Sequence, residues 1–293
     1  MLLTGYETHK EWRTIRRNAD EGKSTILTQI KSGVKQNKKW KRTYTDNLKI
    51  LDEMVRHIAI RATDFTRQNW DDYAFGYGER QLDSILVPVF WDIVGRRQGL
   101  VLVQYPTKRK AMKYALPEGE RQKSRTGWVD YRLRRAKTSY ALEIKSVSSS
   151  EKLGNKERII KEWNDALNKL DRICYKKQIK NLGSGSIWLF KSVILFIPVF
   201  INARSHERER VKVKNVSEID GLLTKNLEAL LGEFKPVSTQ PDWIACWLLP
   251  EDLQEDWQDD TDTDKYWQSP AVLILAKLCE KWEQNDKQRW VKV

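Results

Sequence analysis

The sequence predicts an α/β layered domain, and three observations carry that reading. A stripe of Ile159, Trp163, Ala166, Leu167, Leu170, Ile173 and Cys174 recurs at helical spacing within 155–181. The run "SVILFIPVFI" (192–201) is unbroken in apolarity and strand-length, as a strand buried on both faces would be. Between them in kind, "GWVDYRLRRAKTSYALEIKSV" (127–147) alternates apolar and polar residues through two runs, as a hairpin does. With the flanking segments, the core order becomes helix, strand, strand, strand, helix, strand, which folds as a mixed sheet flanked by helices.

Taken in order, residues 1–75 form a basic, helical N-terminal extension. It contains the cluster "KQNKKWKR" (35–42), whose Trp40 either stacks on a base or packs half-exposed. Residues 45–68 carry Leu48, Leu51, Val55, Ile58, Ala62 and Phe65 at helical spacing, with Thr45 or Asp46 as cap. A loop at 69–79 leads into a second helix bearing Leu82, Ile85, Leu86, Val89 and Ile93, which Pro88 should kink. "GLVLVQYP" (99–106) reads as a strand and 107–126 as a basic loop. Gly183 stops the long helix of 155–181. The core spans 76–202. Residues 203–293 form a C-terminal extension of helix (217–232), strand (242–249), an acidic loop (250–264) and "PAVLILAKLCEKW" (270–282), which suits strand or helix.

Composition narrows the function. The 293 residues carry a net charge of +13, and 101–180 alone hold 21 basic against nine acidic residues. Such a field suits a polyanion, DNA or RNA, or else is a solvated basic face. Residues 250–264 hold eight acids and no base, as a loop or as a tethered anion for the basic surface. No apolar run is long enough for a membrane span, and no N-terminal apolar segment reads as a signal peptide, so a cytoplasmic protein is expected. Cys174, Cys246 and Cys279 form no CxxC pair, which argues against a zinc ribbon or disulfide framework. "GKST" (22–25) has Arg17 where a P-loop needs Gly, and the calcium-loop likeness from Asp260 fails at Lys265 and Ala271. His9, His57 and His206 are scattered.

The hairpin carries the chemistry. With its turn centred on Ala136–Lys137, Val129, Tyr131 and Leu133 face Ile144, Leu142 and Tyr140 on one apolar side. The other side pairs Trp128 with Lys145, Asp130 with Glu143, Arg132 with Ala141 and Arg134 with Ser139. The two carboxylates then sit with Cβ atoms roughly 5 Å apart. They require a shared proton, a basic neighbour or a bound cation, and Mg²⁺ suits one or two carboxylates completed by water and phosphate. The plain alternative is a set of surface salt bridges to Arg132, Arg134 and Lys145.

Asp130, Glu143-Ile144-Lys145 and the element order resemble the PD-(D/E)XK nuclease superfamily, over roughly 76–202. Val129 stands where the family's name has Pro, and Glu-x-Lys recurs at 21–23 and 233–235 outside such a hairpin. The resemblance implies a restriction-endonuclease-like core and a Mg²⁺- or Mn²⁺-dependent endonuclease. Asp130 and Glu143 would bind the metal with the Ile144 carbonyl, and Lys145 would act on the attacking water. It also implies a further acid on the first helix, which Glu79 fits, although Glu79 equally suits the helix dipole. Lys169, on the helix after the motif, either contacts phosphate or snorkels at the surface. Lys108, Arg109, Lys110, Arg132, Arg134 and Arg135 are the expected backbone-binding residues. DNA is the expected substrate ahead of RNA. The family suggests a prokaryotic defence or restriction setting with a helicase, ATPase or sensor partner, and cutting both strands with one site per chain calls for a homodimer. A non-catalytic nucleic-acid-binding or scaffolding subunit on the same fold is the alternative.

Overall fold

The structure is a computed structural model that describes residues 6–16, 25–35, 45–68, 79–95, 99–108, 126–150, 152–173, 179–180, 182, 184–204, 216–249, 257–258, 265–285 and 289–292. Its elements run β1 (Tyr6–Arg16), β2 (Thr25–Lys35), α1 (Thr45–Gln68), α2 (Glu79–Val94), β3 (Leu100–Lys108), β4 (Thr126–Arg135), β5 (Thr138–Ser146) and β6 (Ser149–Ser150). Then follow α3 (Lys156–Asp171), β7 (Trp188–Arg204), α4 (Val216–Glu233), a 3₁₀ turn (Val237–Thr239), β8 (Trp243–Leu248), β9 (Trp257–Gln258), β10 (Lys265–Gln284) and β11 (Trp290–Lys292). The fold is mixed α/β, with one mostly antiparallel sheet ordered β1-β2-β8-β10-β7-β5-β4-β3.

Two cores lie on opposite faces of that sheet. On one face Leu51, Met54, Val55, Ile58 of α1 and Leu82, Leu86, Val89, Phe90 of α2 pack on Tyr131, Leu142, Ile194 and Ile274. On the other, Ile159, Trp163, Ala166, Leu170 of α3 and Leu223, Leu227, Leu230 of α4 pack on Ala141, Val193, Leu195 and Leu273. Strands covered on both faces lose the period-two pattern, which is why β7 and β10 read as continuous apolar runs. β5 pairs antiparallel with β4 and parallel with β7, so β5–α3–β7 is a parallel crossover that lays α3 over β5.

Several expectations change. The N-terminal extension is not wholly helical: residues 6–16 and 25–35 form an antiparallel hairpin, Tyr6↔Lys35 to Arg16↔Thr25, whose β2 pairs with β8. The ambiguous 270–282 lies inside the strand β10, paired with β7 on one side and β8 on the other. The sheet therefore draws strands from all three sequence segments. The long helix ends at Asp171, where the amide of Ile173 bonds the Leu170 carbonyl in a tightened last turn. Ile173 is buried beyond it, and Gly183 and Cys174 lie outside the described residues.

Candidate active site

The β4–β5 register is the one the alternation predicts, from Arg135↔Thr138 to Tyr131↔Leu142 across a two-residue turn. Ala136 takes a left-handed backbone there, φ 49. Beyond Tyr131↔Leu142 the pairing changes character. The amide of Ile144 donates to Asp130 Oδ2 at 2.9 Å, so a side chain takes a bond that a ladder would give to backbone. The strand faces also invert at this point. Val129 and Tyr131, two residues apart, belong to opposite cores, whereas unbroken alternation would put both on one face as the sequence suggested. The inversion coincides with Gln104 on the neighbouring β3, whose φ is 50, between the pairs Val103↔Tyr131 and Tyr105↔Val129. Asp130 thus sits at a bend shared by two strands.

That bend brings Asp130 to Glu143. The ammonium of Lys169, in the last turn of α3, lies 3.0 Å from Asp130 Oδ1 and also contacts Glu143 Oε1. Glu143 is fully buried, and its Oε2 has no hydrogen-bond partner. Two turns earlier on α3, Glu162 Oε2 lies 3.9 Å from the ammonium of Lys145. Helix and strand thus present crossed charges: Glu143 and Lys145 on β5 meet Lys169 and Glu162 on α3. The helix dipole adds to this, since Lys169 stands at the negative end.

On the α2 side, a cleft of about 160 Å³ is lined by Asp83, Leu86, Val103, Gln104, Asp130, Tyr131 and Ile144. Asp83 accepts a hydrogen bond from the Tyr131 hydroxyl. Asp130 therefore borders both the open cleft and the part-buried Glu143–Lys169 contact. Trp128, half exposed, stands two residues before Asp130 on β4.

The structure brings together Asp130, Glu143, Ile144 and Lys169, whereas Lys145, two residues on from Glu143, faces Glu162 at 3.9 Å. Glu79 opens α2, but its side chain lies outside the described residues, as do Arg109 and Lys110 entirely and the side chain of Lys108. The acid observed at the cleft is Asp83, one helical turn on, which the i, i+4 spacing from Glu79 would have revealed. Arg132 corrects an expectation: it is buried, donating to the carbonyls of Leu182 at 2.8 Å and Ser184 at 3.1 Å, with its guanidinium 5.0 Å from the Tyr105 ring centre. Burial lowers its pKa, against the attraction of Tyr105. Arg135 is paired with Glu53 at 2.7 Å, and the Arg134 guanidinium packs against Gly185. Lys169 is not a snorkelling surface lysine. Glu162 went unremarked in the sequence because its role depends on how α3 lies over β5.

The two carboxylates, bridged by one ammonium and with one oxygen unpartnered, are the kind of donor a hard cation takes. Among the described residues no group of three or more His, Cys, Asp or Glu is close enough to hold a metal ion unaided. Water and substrate oxygens would complete the shell, as Mg²⁺ sites commonly allow. No protein-family model, curated protein or solved structure matches the chain. No described helix is long and apolar enough to cross a membrane.

Proposed function

We propose that the protein is a Mg²⁺- or Mn²⁺-dependent nuclease that hydrolyses phosphodiester bonds, with DNA the substrate ahead of RNA. The supporting observation is the fully buried Glu143, whose Oε2 is unpartnered although it lies beside Asp130 at the bend of a hairpin. A buried carboxylate left so costs stability, and such groups concentrate where chemistry is done.

Asp130, Glu143 and the Ile144 carbonyl would hold the cation, which when bound supplies Lewis-acid polarisation of a phosphoryl oxygen. The Ile144 amide fixes the Asp130 carboxylate, so that the oxygens are set before substrate arrives. Lys145, held near Glu162, places an ammonium two residues along β5 from Glu143, where it orients the attacking water. Asp83 and Gln104 wall the cleft through which a phosphate backbone reaches Asp130. The net charge of +13 draws a polyanion toward it. A prokaryotic defence or restriction role, cytoplasmic location, helicase, ATPase or sensor partners, and dimerisation for duplex cleavage belong to the same reading.

One observation favours the alternative, a non-catalytic nucleic-acid-binding or scaffolding subunit. The four charges of β5 and α3 are already crossed into ion pairs, which is how a structural lock would look. The test uses plasmid, linear DNA and RNA with Mg²⁺ or Mn²⁺, on the wild type, Glu143→Ala and Lys145→Ala. Metal-dependent cleavage lost in both variants supports the nuclease. Retarded but uncut nucleic acid from a folded wild type supports the alternative.

A further inference from the structure

Lys169 occupies the place where a cation between Asp130 and Glu143 would sit. Its ammonium is 3.0 Å from Asp130 Oδ1 and in contact with Glu143 Oε1. A lysine ammonium and a divalent metal ion cannot share those oxygens at contact distance without strong repulsion. The Lys169 side chain also reaches solvent. Lys169 is 24% exposed, on a flexible four-carbon stem, whereas Glu143 is wholly inaccessible. The stem can therefore swing while α3, anchored by buried Ile159, Trp163, Ala166 and Leu170, stays in place. The charge balance points the same way. Two carboxylates with one ammonium leave one negative charge, and two carboxylates with one divalent ion leave none.

Resting on the metal reading above, we infer that Lys169 is the resident cation of this site: its ammonium holds the two carboxylates together until a divalent ion arrives, and metal entry and ammonium release are one exchange. The released ammonium then stands beside the occupied site, free to meet a substrate phosphate. Apo and metal-loaded protein therefore differ in the position of one side chain, and the metal affinity of the wild type is lowered by the competitor it carries. Glu162 and Lys145 are not part of the exchange, since their ion pair lies two helical turns from Lys169 on α3.

The test is Mn²⁺ binding to the full chain without nucleic acid, read by calorimetry and by the electron-spin resonance of free Mn²⁺. Wild type, Lys169→Met and Lys169→Arg are compared. Removing the competing charge should tighten binding by about tenfold or more, within the range usual for coupled ligands. Lys169→Arg, a permanent and bidentate cation, should weaken it. Folding is checked by circular dichroism; should Lys169→Met not fold, the weakening in Lys169→Arg decides alone. Equal or weaker binding by folded Lys169→Met overturns the exchange and leaves the carboxylate pair as a metal site. Absence of Mn²⁺ binding in every variant overturns the exchange and the metal site together.

Discussion

Glu143→Gln should make the metal-free protein more stable while abolishing its response to metal. Glu143 is fully buried; Oε1 meets Lys169 and Oε2 meets nothing. An unpartnered buried polar atom costs about 1–3 kcal/mol, and an ionised carboxylate adds several kcal/mol of desolvation before attraction to its partner is counted. The amide keeps an acceptor for Lys169 and sheds the charge; its NH2 stays unpartnered where Oε2 was, so the gain comes from relieved desolvation of the charge alone. Removing one member of a buried pair ordinarily costs about 3–5 kcal/mol, because the other is stranded. Here Lys169 keeps Asp130 at 3.0 Å, and both are about a quarter exposed, so that cost shrinks to the about 0–1 kcal/mol typical of solvated pairs. The balance favours the variant by about 1–2 kcal/mol, with roughly 2–4 °C in melting temperature for each kcal/mol. Urea denaturation in EDTA, followed by circular dichroism and tryptophan fluorescence, measures it. With Mn²⁺ at a hundredfold its dissociation constant the wild type gains about 2.7 kcal/mol and the variant nothing, so the order reverses. A variant clearly less stable than wild type in EDTA would refute the reasoning, because Glu143 would then be a structural pin rather than a strained ligand.

Two further outcomes follow from charges away from the site. Lys191 is fully buried between the Ile173 carbonyl at 3.1 Å and Glu280 at 2.5 Å, so Glu280→Ala should cost about 3–5 kcal/mol. Lys191→Met should cost less, because Glu280 keeps Lys292 at 2.6 Å and the Trp282 indole at 3.0 Å; equal losses in urea midpoint would contradict this asymmetry. His57 is held below its usual 6.5 chiefly by burial, against the attraction of Asp92. Its folded state binds fewer protons than the unfolded chain, so this contribution is complete above pH 6.5 and is lost as pH falls from there toward the folded value. His57→Gln should flatten stability against pH below 6.5, and an unaltered slope counts against the assignment.

The hairpin was legible because period-two alternation and one buried face leave a single register, and Tyr131↔Leu142 to Arg135↔Thr138 obey it. Helices α1, α2 and α3 were legible from their apolar stripes, although α3 ends at Asp171, short of the expected 181. The N-terminal strands were not. β1 lies at the sheet's edge, carries mixed charges and buries only Tyr6 of its described side chains, so no apolar pattern marks it; in β2 the buried Ile30 and Val34 are four residues apart, a spacing that does not separate strand from helix. β10 was ambiguous because cover on both faces erases the period that separates strand from helix. At the site, Asp130 and Glu143 came from alternation, but Lys169 required knowing how the crossover lays α3 across β5. The inversion at Asp130 coincides with the left-handed Gln104 of a neighbouring strand, which no local pattern announces.

β7 lies between β5, which carries Glu143 and Lys145, and β10, which begins at Lys265. On a ribosome, the strand that backs the carboxylates emerges long before the strand that closes its other edge. Until β10 arrives, β7 offers an open row of backbone donors and acceptors flanked by Val193, Ile194, Leu195 and Phe196. A fragment cut at residue 202 would keep every residue of the candidate site and be left in that condition permanently. Deletion series therefore measure solubility before they measure chemistry, and point substitutions in the whole chain are the sounder instrument.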